Sequence, residues 1–369
     1  MSTDIVVIGA GIHGCATALR LAQAGARVTV LERSVPGAEA SSAAAGILSP
    51  GVEAQHGGPL LALAQDSLRR WPGFAAELTA ATGIDLSWSA KGTLRVVFDD
   101  AGAAAWQADL PRLVGLGVAA EWLDSAALRS LEPALGATAR GGYLFRDEAS
   151  VDPKPLLRAL AAAAEAAGVR FLRGVVQRIA IAGGRVEGVD HVSGRLSAGA
   201  VLLAAGSWAG LVEGSGLPTG AVRPVRGQMV VLEPLSAAPP RFARVVFSPR
   251  GYLVPRPDGR ILCGSTMEEA GFEKAVTAEG LLAILAMAVE VSPRLAAARY
   301  LESWSNFRPA TVDGLPILGP GAIPGLFYST GHYRHGILLA PASADLVAAS
   351  LLGERPTIDL EPYSASRLY

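Results

Sequence analysis

The chain has 369 residues, of which 50% are hydrophobic and 18% are charged, and its formal net charge is −1. This composition excludes an intrinsically disordered protein, and the length fits two domains better than one. The near-neutral charge, without any run of Lys or Arg, argues against a nucleic-acid surface.

Cysteine usage and hydropathy bear on the compartment. Cys15 and Cys263 each lie in apolar sequence. We interpret them as reduced, buried thiols and not as a disulfide, which predicts a cytoplasmic protein. The apolar N-terminus lacks the basic start of a signal peptide, and glycines and Arg20 interrupt it. No other stretch reaches about 18 uninterrupted apolar residues, so we expect no membrane span.

The first elements in chain order form a strand–helix–strand unit. Residues 4–8, DIVVI, predict a strand buried on both faces. The sequence GAGIHG follows, then CATALRLAQAG predicts a helix that ends at Gly25, and ARVTVLE predicts a second strand that ends at Glu32. This order of elements is the context that a dinucleotide-binding fingerprint requires.

Three glycines and one acid in this unit have distinct predicted roles. Gly9, Gly11 and Gly14 have G-x-G-x-x-G spacing. Gly9 permits a tight turn, Gly11 lets the backbone approach a pyrophosphate, and Gly14 allows close helix–strand packing. The helix N-terminus offers free N–H groups to the phosphates, and Glu32 accepts hydrogen bonds from ribose hydroxyls. The fingerprint by itself fits either NAD or FAD.

The next segment favours FAD. Residues 39–50, EASSAAAGILSP, are small, and a large planar cofactor that lies against backbone needs small residues of this kind. Ser41 and Ser42 are placed to donate hydrogen bonds to a second phosphate or to the ribitol. An ordinary loop of Ala, Ser and Gly is the alternative interpretation of this stretch alone.

Later segments divide the chain into two interleaved parts. Asp152 is a predicted N-cap with Pro153 in the first turn, and the strand VRFLRGVV follows the helix. The strand LSAGAVLLAAGSW and a final strand–turn–helix complete a nucleotide-binding part. Segments such as GQMVVLEPL, ARVVFSP and GYLVPRPDG alternate with turns and predict an antiparallel sheet. We therefore predict a discontinuous Rossmann-like α/β domain at 1–85, 147–222 and 305–369, and a mixed, mainly antiparallel-sheet substrate domain at 86–146 and 223–304.

Together these motifs resemble one family over nearly the whole chain. GAGIHG…LE, EASSAAAGILSP, LLAAGSW, VRPVRGQM, YLVPRPDGR, CGSTMEEAGF, FRPATVDGLPILG and GHYRHGILLAP stand in the order found in the FAD-dependent D-amino-acid and amine oxidase (DAO) superfamily. Within it, the resemblance is to the glycine oxidases of thiamine biosynthesis. It implies non-covalent FAD and oxidation of a small amino acid (glycine, sarcosine or a D-amino acid) by hydride transfer to flavin N5. The implied products are an oxo acid, ammonia or an amine, and hydrogen peroxide from molecular oxygen.

The resemblance also assigns residues. The implied catalytic residues are Tyr252, Arg308, Arg334 and His335. The implied cofactor-binding residues are Gly9, Gly11, Gly14, Glu32, Arg33, Ser41, Ser42, Ala45, Gly46, Val175, Val176, Ala205, Gly206, Trp208, Gly336, Ile337 and Leu338. Among these, Arg308 and Tyr252 match residues that hold the substrate carboxylate, and Gly336–Leu338 match the place where the last helix meets the flavin ring.

Residue chemistry supports these roles and leaves alternatives open. A carboxylate in a dry pocket needs a fixed cation, and the guanidinium of Arg308 offers paired donors. The alternative is a structural Arg308 paired with an acid such as Asp313. Tyr252 has the alternative of a core aromatic ring whose hydroxyl bonds to backbone. His332 and His335 have i, i+3 spacing, but without a third ligand nearby we expect no metal.

Two departures from the glycine oxidases lie near the expected substrate. His335 stands where those enzymes usually carry Asn, and Ser305, Asn306 and Phe307 replace smaller residues. They leave FAD binding intact and put glycine itself in doubt as the substrate. Two other hypotheses stay open: a flavin subunit of a hetero-oligomeric amino-acid dehydrogenase that passes electrons to a partner, and a nicotinamide-dependent dehydrogenase. The oligomeric state stays open as well, a homo-oligomer included.

Overall fold

The computed structural model describes residues 4–52, 54, 57–235 and 241–369. Its strands, in chain order, are β1 (Ile5–Ile8), β2 (Val28–Glu32), β3 (Ile47–Leu48), β4 (Thr93–Val97), β5 (Ala120–Asp124), β6 (Gly141–Phe145), β7 (Ala149–Ser150), β8 (Arg170–Arg173), β9 (Val176–Ala182), β10 (Arg185–His191), β11 (Gly194–Ser197), β12 (Ala200–Leu203), β13 (Arg223–Glu233), β14 (Val245–Ser248), β15 (Gly251–Pro255), β16 (Ile261–Gly264), β17 (Arg299–Ala310), β18 (Ile317–Pro320) and β19 (Leu326–Thr330).

The helices alternate with these strands. They are α1 (Ile12–Gln23), α2 (Ala40–Ala43), α3 (Pro59–Thr82), α4 (Asp100–Gly115), α5 (Ser125–Leu131), α6 (Pro153–Ala166), α7 (Ala278–Val291) and α8 (Ala340–Leu351). Short 3₁₀ turns occupy Gly206–Leu211, Pro293–Ala297, Tyr333–His335, Glu361–Tyr363 and Ala365–Leu368. No described helix combines the length and the hydropathy needed to cross a membrane.

A parallel sheet carries the N-terminal unit. Its strand order is β18-β19-β12-β1-β2-β8, and every neighbouring pair is parallel except the hairpin of β18 and β19. All four residues of β1 are buried, as expected for a strand covered on both faces. Helices α1, α6, α3 and α8 pack together in one large core on one face of this sheet. The predicted Rossmann-like α/β architecture is confirmed.

A larger sheet forms the second layer. Its order is β17-β13-β16-β15-β14-β4-β6-β5, antiparallel except between β14 and β4. The segments predicted as an antiparallel sheet correspond to β13, β14, β15 and β16. Strand β17 pairs with β13 along its length, from Arg223 opposite Ala310 to Glu233 opposite Arg299. This long pairing fixes the register of the residues that face the parallel sheet.

Two local predictions differ from the structure. The predicted strand VRFLRGVV is split at Gly174 and Val175, so that β8 joins the parallel sheet and β9 starts a separate three-stranded sheet with β10 and β11. The C-terminal strand–turn–helix is a hairpin of two strands, followed by the turn Tyr333–His335 and by α8 from Ala340. In both places a glycine-containing turn interrupts an apolar run that periodicity alone reads as continuous.

Other local predictions agree with the structure. The Asp152 side chain accepts a hydrogen bond from the Lys154 amide at the start of α6, as an N-cap does. Cys15 and Cys263 are free and buried, and burial raises the pKa of each thiol to about 12. The predicted domain boundary at residue 305 falls inside β17, and the ranges 1–85 and 223–304 include residues outside the described part. The division into domains stays a prediction.

Candidate active site

A cavity of about 630 Å³ lies between the two large sheets. Its walls include the first turn of α1, the end of β2, the segment that contains α2, and strands β13, β15 and β17. The sequence-predicted site residues that line it are Gly9, Gly11, Glu32, Arg33, Ser41, Ala45, Gly46, Val175, Val176, Ala205, Gly206, Trp208, Tyr252, Arg308, Arg334, His335, Gly336, Ile337 and Leu338. Gly14 and Ser42 are not among the lining residues. Residues far apart in sequence therefore meet at one site.

The turn after β1 is built so tightly that side chains are excluded. Gly9 has φ +101°, and a Cβ on it would lie 2.7 Å from the Ala204 carbonyl oxygen. A Cβ on Gly14 would lie 1.9 Å from the Gly9 carbonyl oxygen. Because atoms cannot approach that closely, Gly14 acts through helix–strand packing and not by touching the cavity.

Ser41 belongs to the cavity wall and Ser42 does not. The Ser41 hydroxyl accepts a hydrogen bond from the Ile12 amide, N–O 3.0 Å, at the N-terminus of α1. A Cβ on Gly11 would lie 3.2 Å from the same hydroxyl oxygen. The Ser42 hydroxyl instead donates to the Glu39 carbonyl oxygen, 3.3 Å away. Of the two serines, only Ser41 is in place to meet a phosphate at the helix N-terminus.

Glu32 and Arg33 close the end of β2. The Glu32 carboxylate accepts hydrogen bonds from the amides of Ala10 and Ser34, each at 2.9 Å, which fixes its orientation in the wall. The Arg33 guanidinium lies 3.9 Å from the centre of the Trp208 ring and pairs with Glu39. A carboxylate held in this way presents its remaining lone pairs to a ligand.

Two buried histidines stack in the middle of the wall. The rings of His13 and His332 are 3.3 Å apart between centroids and are nearly parallel, at 10°. Burial lowers the pKa of His13 to about 3 and lowers that of His332 well below its usual value. Both rings are therefore neutral at physiological pH, and His332 bonds to the Ser343 hydroxyl, 3.2 Å away.

The segment Gly336–Leu338 precedes α8 and faces the cavity. Its first helical hydrogen bonds are donated by Leu339 to His335 and by Ser343 to Leu339, so the three amides before Leu339 are not used by the helix. Gly336 has helical dihedrals, and a Cβ there would touch His13 and His332 only at ordinary distances of 3.8 and 3.9 Å. The protein itself thus does not demand glycine at 336. A ligand in close contact with the backbone would.

Arg308 is the central cation at the other end of the cavity, away from the glycine turn. Its guanidinium donates to the Thr266 carbonyl oxygen at 3.0 Å, to the Ser265 hydroxyl at 2.6 Å, and to the Arg226 carbonyl oxygen at 3.4 Å. These acceptors are all neutral, and among the described residues Arg308 forms no ion pair. The alternative pairing with Asp313 is wrong, because Asp313 pairs with Arg367 at 2.7 Å.

Tyr252 and Arg334 flank this cation. The Tyr252 hydroxyl meets the Met229 sulfur at 3.5 Å, and its ring packs against Phe247 with centroids 5.4 Å apart. The alternative role for Tyr252, a core ring with its hydroxyl on backbone, does not match this contact. Arg334 contacts the sulfur of Met267 at 3.4 Å, as does the hydroxyl of Tyr333.

Sequence reasoning missed part of this end. Ser265, which holds Arg308, and Arg95 and Phe247 from neighbouring strands β4 and β14 also line the cavity. Ser265 stands in the quoted motif CGSTMEEAGF and was thus visible as part of the resemblance. Arg95 had no such signal, because only the strand register of Phe247 opposite Arg95 brings it to this face.

The residues at both ends fit FAD. The glycine turn and the Ser41 hydroxyl form an anion cradle at a helix N-terminus, Glu32 presents a carboxylate, and the small residues Ala45 and Gly46 leave room for a planar ring. The segment Gly336–Leu338, whose amides α8 does not use, also lines the cavity and lies beside His13. The fold and this site define a flavin-dependent oxidoreductase.

Comparison with known proteins agrees. Residues 4–350 match the DAO family, described as FAD dependent oxidoreductase. The glycine oxidase of Pseudomonas putida is 36% identical over 99% of this chain and 98% of its own length. The bifunctional protein ThiO/ThiG of Synechocystis is also 36% identical, and the chain spans about half of its length, 54%.

Solved structures show the same relation. The crystal structure of glycine oxidase from Geobacillus kaustophilus superposes with a TM-score of 0.93 at 33% identity, covering 99% of both chains. Iminodiacetate oxidase from Chelativorans superposes with a TM-score of 0.88 at 28% identity, covering 98% of both. The chain belongs to the DAO family. This family is one of FAD-dependent oxidoreductases.

Proposed function

We propose that the chain oxidises a small α-amino acid or N-substituted glycine whose carboxylate is held by Arg308. The observation that carries this proposal is the guanidinium of Arg308, which lines the cavity and, within the described part of the chain, has neutral acceptors only. A half-buried guanidinium without a carboxylate partner is well suited to an anionic ligand, because the ligand would restore charge balance in a poorly solvated place.

The protein's own groups orient the substrate and favour the protonation state of its amine that can react. When bound, FAD supplies the acceptor for a hydride from the substrate α-carbon. Arg308 fixes the carboxylate through paired donors, and the Tyr252 hydroxyl adds a further donor on the same wall. The positive charge of Arg308 favours the neutral form of the substrate amine, because a like charge lowers an ammonium pKa. No side chain is assigned as a general base.

Backbone amide groups serve the electron-accepting half of the reaction. Gly336, Ile337 and Leu338 line the cavity ahead of α8, and their amides, which the helix does not use, are suited to stabilising negative charge that develops there. Such preorganised donors cost no reorganisation during the reaction. This assignment predicts that backbone placement at 336–338, and not a titrating side chain, controls the reduction step.

The proposed products are an oxo acid, ammonia or an amine, and hydrogen peroxide, with molecular oxygen as the electron acceptor. Relatives named glycine oxidase and iminodiacetate oxidase support a glycine-like substrate core. Thiamine biosynthesis is the proposed setting on the same resemblance. His335, Asn306 and Phe307 are the residues that we expect to shift preference among glycine, sarcosine and small D-amino acids.

Anaerobic mixing of the purified flavoprotein with glycine, sarcosine, D-alanine and D-proline tests this function. Bleaching of the flavin absorbance by at least one member is the expected result. Analogues that lack the carboxylate, such as methylamine and dimethylamine, should not bleach it. Equal bleaching by the amines without carboxylate would contradict the role of Arg308, and a colourless protein that binds NAD would contradict the flavin chemistry itself.

A second candidate is a flavin subunit that passes electrons to a partner protein. One relative supports this candidate, because it is named as a subunit: the hydrogen cyanide synthase subunit HcnC of Pseudomonas aeruginosa is 29% identical over 99% of this chain. Hydrogen peroxide formed by the single chain in air supports the oxidase. Flavin that is bleached by substrate and stays reduced in air would support the partner-dependent dehydrogenase.

A further inference from the structure

The segment Ser265–Met267 touches the polar groups that line the substrate end of the cavity. Ser265 and Thr266 accept hydrogen bonds from Arg308, at 2.6 and 3.0 Å. The sulfur of Met267 contacts Arg334 at 3.4 Å. The segment leaves the sheet directly after β16, so its own strand does not hold it. Its position therefore sets where both guanidinium groups point.

Glu268 anchors this segment through its backbone. Its amide donates to the Arg226 carbonyl oxygen at 3.0 Å, and the Arg226 amide donates to the Glu268 carbonyl oxygen at 2.9 Å. This bridge ties the segment to β13, the strand that carries Arg226 and pairs with the Arg308 strand. The same Arg226 carbonyl oxygen accepts from Arg308, at 3.4 Å.

The carboxylate of Glu268 completes the anchor. One oxygen accepts from Nε of Arg226 at 3.0 Å and also from its Nη2. The other accepts from the Gln228 amide at 2.7 Å and from the Thr266 hydroxyl. Arg226 is 6% exposed and Gln228 is fully buried, whereas the Glu268 side chain is 26% exposed, so these bonds are partly shielded from water. Burial raises the pKa of Glu268, and the hydrogen bonds from Thr266, Arg226 and Gln228 outweigh it, giving a net lowering.

Two neighbouring arginines thus differ in charge balance. Arg226 has its own carboxylate, and Arg308 has only neutral acceptors among the residues that the structure describes. We propose that Glu268 and Arg226 are positioning residues that neutralise each other, fix Ser265–Met267, and thereby hold Arg308 in the orientation that binds the substrate carboxylate. This inference rests on the proposed function, because Arg308 must be the carboxylate site for its orientation to matter.

The substitution Glu268→Gln keeps the shape and removes the charge. Its amide nitrogen must face either Arg226 or Gln228, both of which are donors at this point, so the acceptor set is incomplete. Acetate binding, followed through its perturbation of the flavin absorbance, should weaken by about tenfold or more, since small misplacements of binding groups are costly. The KM for the amine substrate should rise more than kcat falls.

A double-mutant cycle identifies the route of the effect. In an Arg308→Met background, Glu268→Gln should weaken acetate binding little further, because the group it positions is gone. Additive losses in the double variant would overturn the inference. Unchanged acetate binding in Arg308→Met alone would contradict the proposed function instead, so the two failures are distinguishable.

A matched control and a milder pair complete the test. Glu269→Gln removes an exposed ion pair with Arg223, one residue further along, and should leave acetate binding unchanged. Should Glu268→Gln not fold with flavin, Thr266→Val removes one donor to Glu268 and Thr266→Ser keeps it. Thr266→Val should weaken acetate binding more than Thr266→Ser does. Equal acetate affinities in the two variants would contradict the proposal.

Discussion

The two ends of the cavity are built from different materials. The nucleotide end consists of backbone, with glycines where a Cβ would lie as little as 1.9 Å from a carbonyl oxygen. The end at which we propose that substrate binds is lined by long side chains, Arg308 and Arg334, from different elements. A backbone site fails when atoms are added, whereas a side-chain site fails when atoms are removed. The two ends should therefore respond to substitution in opposite ways.

The largest expected effect is at the backbone end. Gly14→Ala places a methyl group against the Gly9 carbonyl oxygen, at 1.9 Å, so α1 must move away from β1. We expect loss of bound flavin and destabilisation of more than about 3 kcal/mol, the range of severe overpacking. Flavin absorbance of the purified protein and urea unfolding measure both.

A glycine elsewhere provides the control. Gly73 lies inside α3, and a Cβ there would meet nothing within 4 Å. Gly73→Ala should raise the free energy of unfolding by roughly 0.5–1 kcal/mol through helix propensity and should retain flavin. Equal loss of flavin in both variants would mean that the tight turn at Gly14 has no special role.

Removal of a side chain breaks the other end. Arg308→Met should raise the KM for an amino-acid substrate about 100-fold, because a charge-assisted contact with the carboxylate is lost, and it should keep flavin bound. Arg223→Met is the matched control, because Arg223 lies on the neighbouring strand β13 and is half exposed. Its KM and its flavin content should equal those of the unchanged protein. Loss of flavin in Arg308→Met would contradict this prediction, because it would mean that Arg308 holds the cofactor and not the substrate.

A buried acid near the cavity wall gives a pH dependence. Glu148 is 3% exposed and accepts from the Gly51 amide at 2.7 Å, and burial raises the pKa of its carboxyl to about 8. The pKa of a Glu side chain in an unfolded chain is about 4.3. The folded protein therefore keeps a proton that the unfolded chain releases. Stability from this group is complete below about pH 4.3 and falls as pH rises towards 8.

Urea unfolding across this range measures the effect. The slope from Glu148 should reach at most about 1.4 kcal/mol per pH unit. Glu148→Gln imitates the protonated acid and should remove that slope. An unchanged pH profile in this variant would show that Glu148 does not titrate differently in the folded state.

The smallest expected effect concerns His335. His335→Asn introduces the residue usual in glycine oxidases at a position on the cavity wall. We expect the ratio of kcat/KM for glycine to that for sarcosine to change by about two- to tenfold, the scale of a modest pocket change. His191→Asn, in β10 and not among the residues that line the cavity, is the control. An unchanged ratio would remove His335 from the determinants of specificity.

Local patterns were predictable because they rest on the backbone. The sequence GAGIHG required glycine at 9 and 14 for steric reasons, and Asp152 followed by Pro153 indicated the start of α6. Gly14 is required by a near neighbour in the chain, the Gly9 carbonyl oxygen, and Gly9 by its own positive φ. The split at Gly174 and the extra strand β18 were not predictable, since pairing partners far away in sequence decide where a run of apolar residues breaks.

The nucleotide-binding unit, the antiparallel layer and the set of cationic candidates followed from the residues alone. Which arginine has its own acid depends on how the chain folds. Asp313, close to Arg308 in sequence, pairs with Arg367, whereas Glu268 pairs with Arg226 across a bridge between segments. The physical reason is that an ion pair depends on where strands and turns place the two side chains, and sequence proximity does not fix that placement. Arg308 therefore lines the cavity with neutral partners alone, as far as the described residues extend.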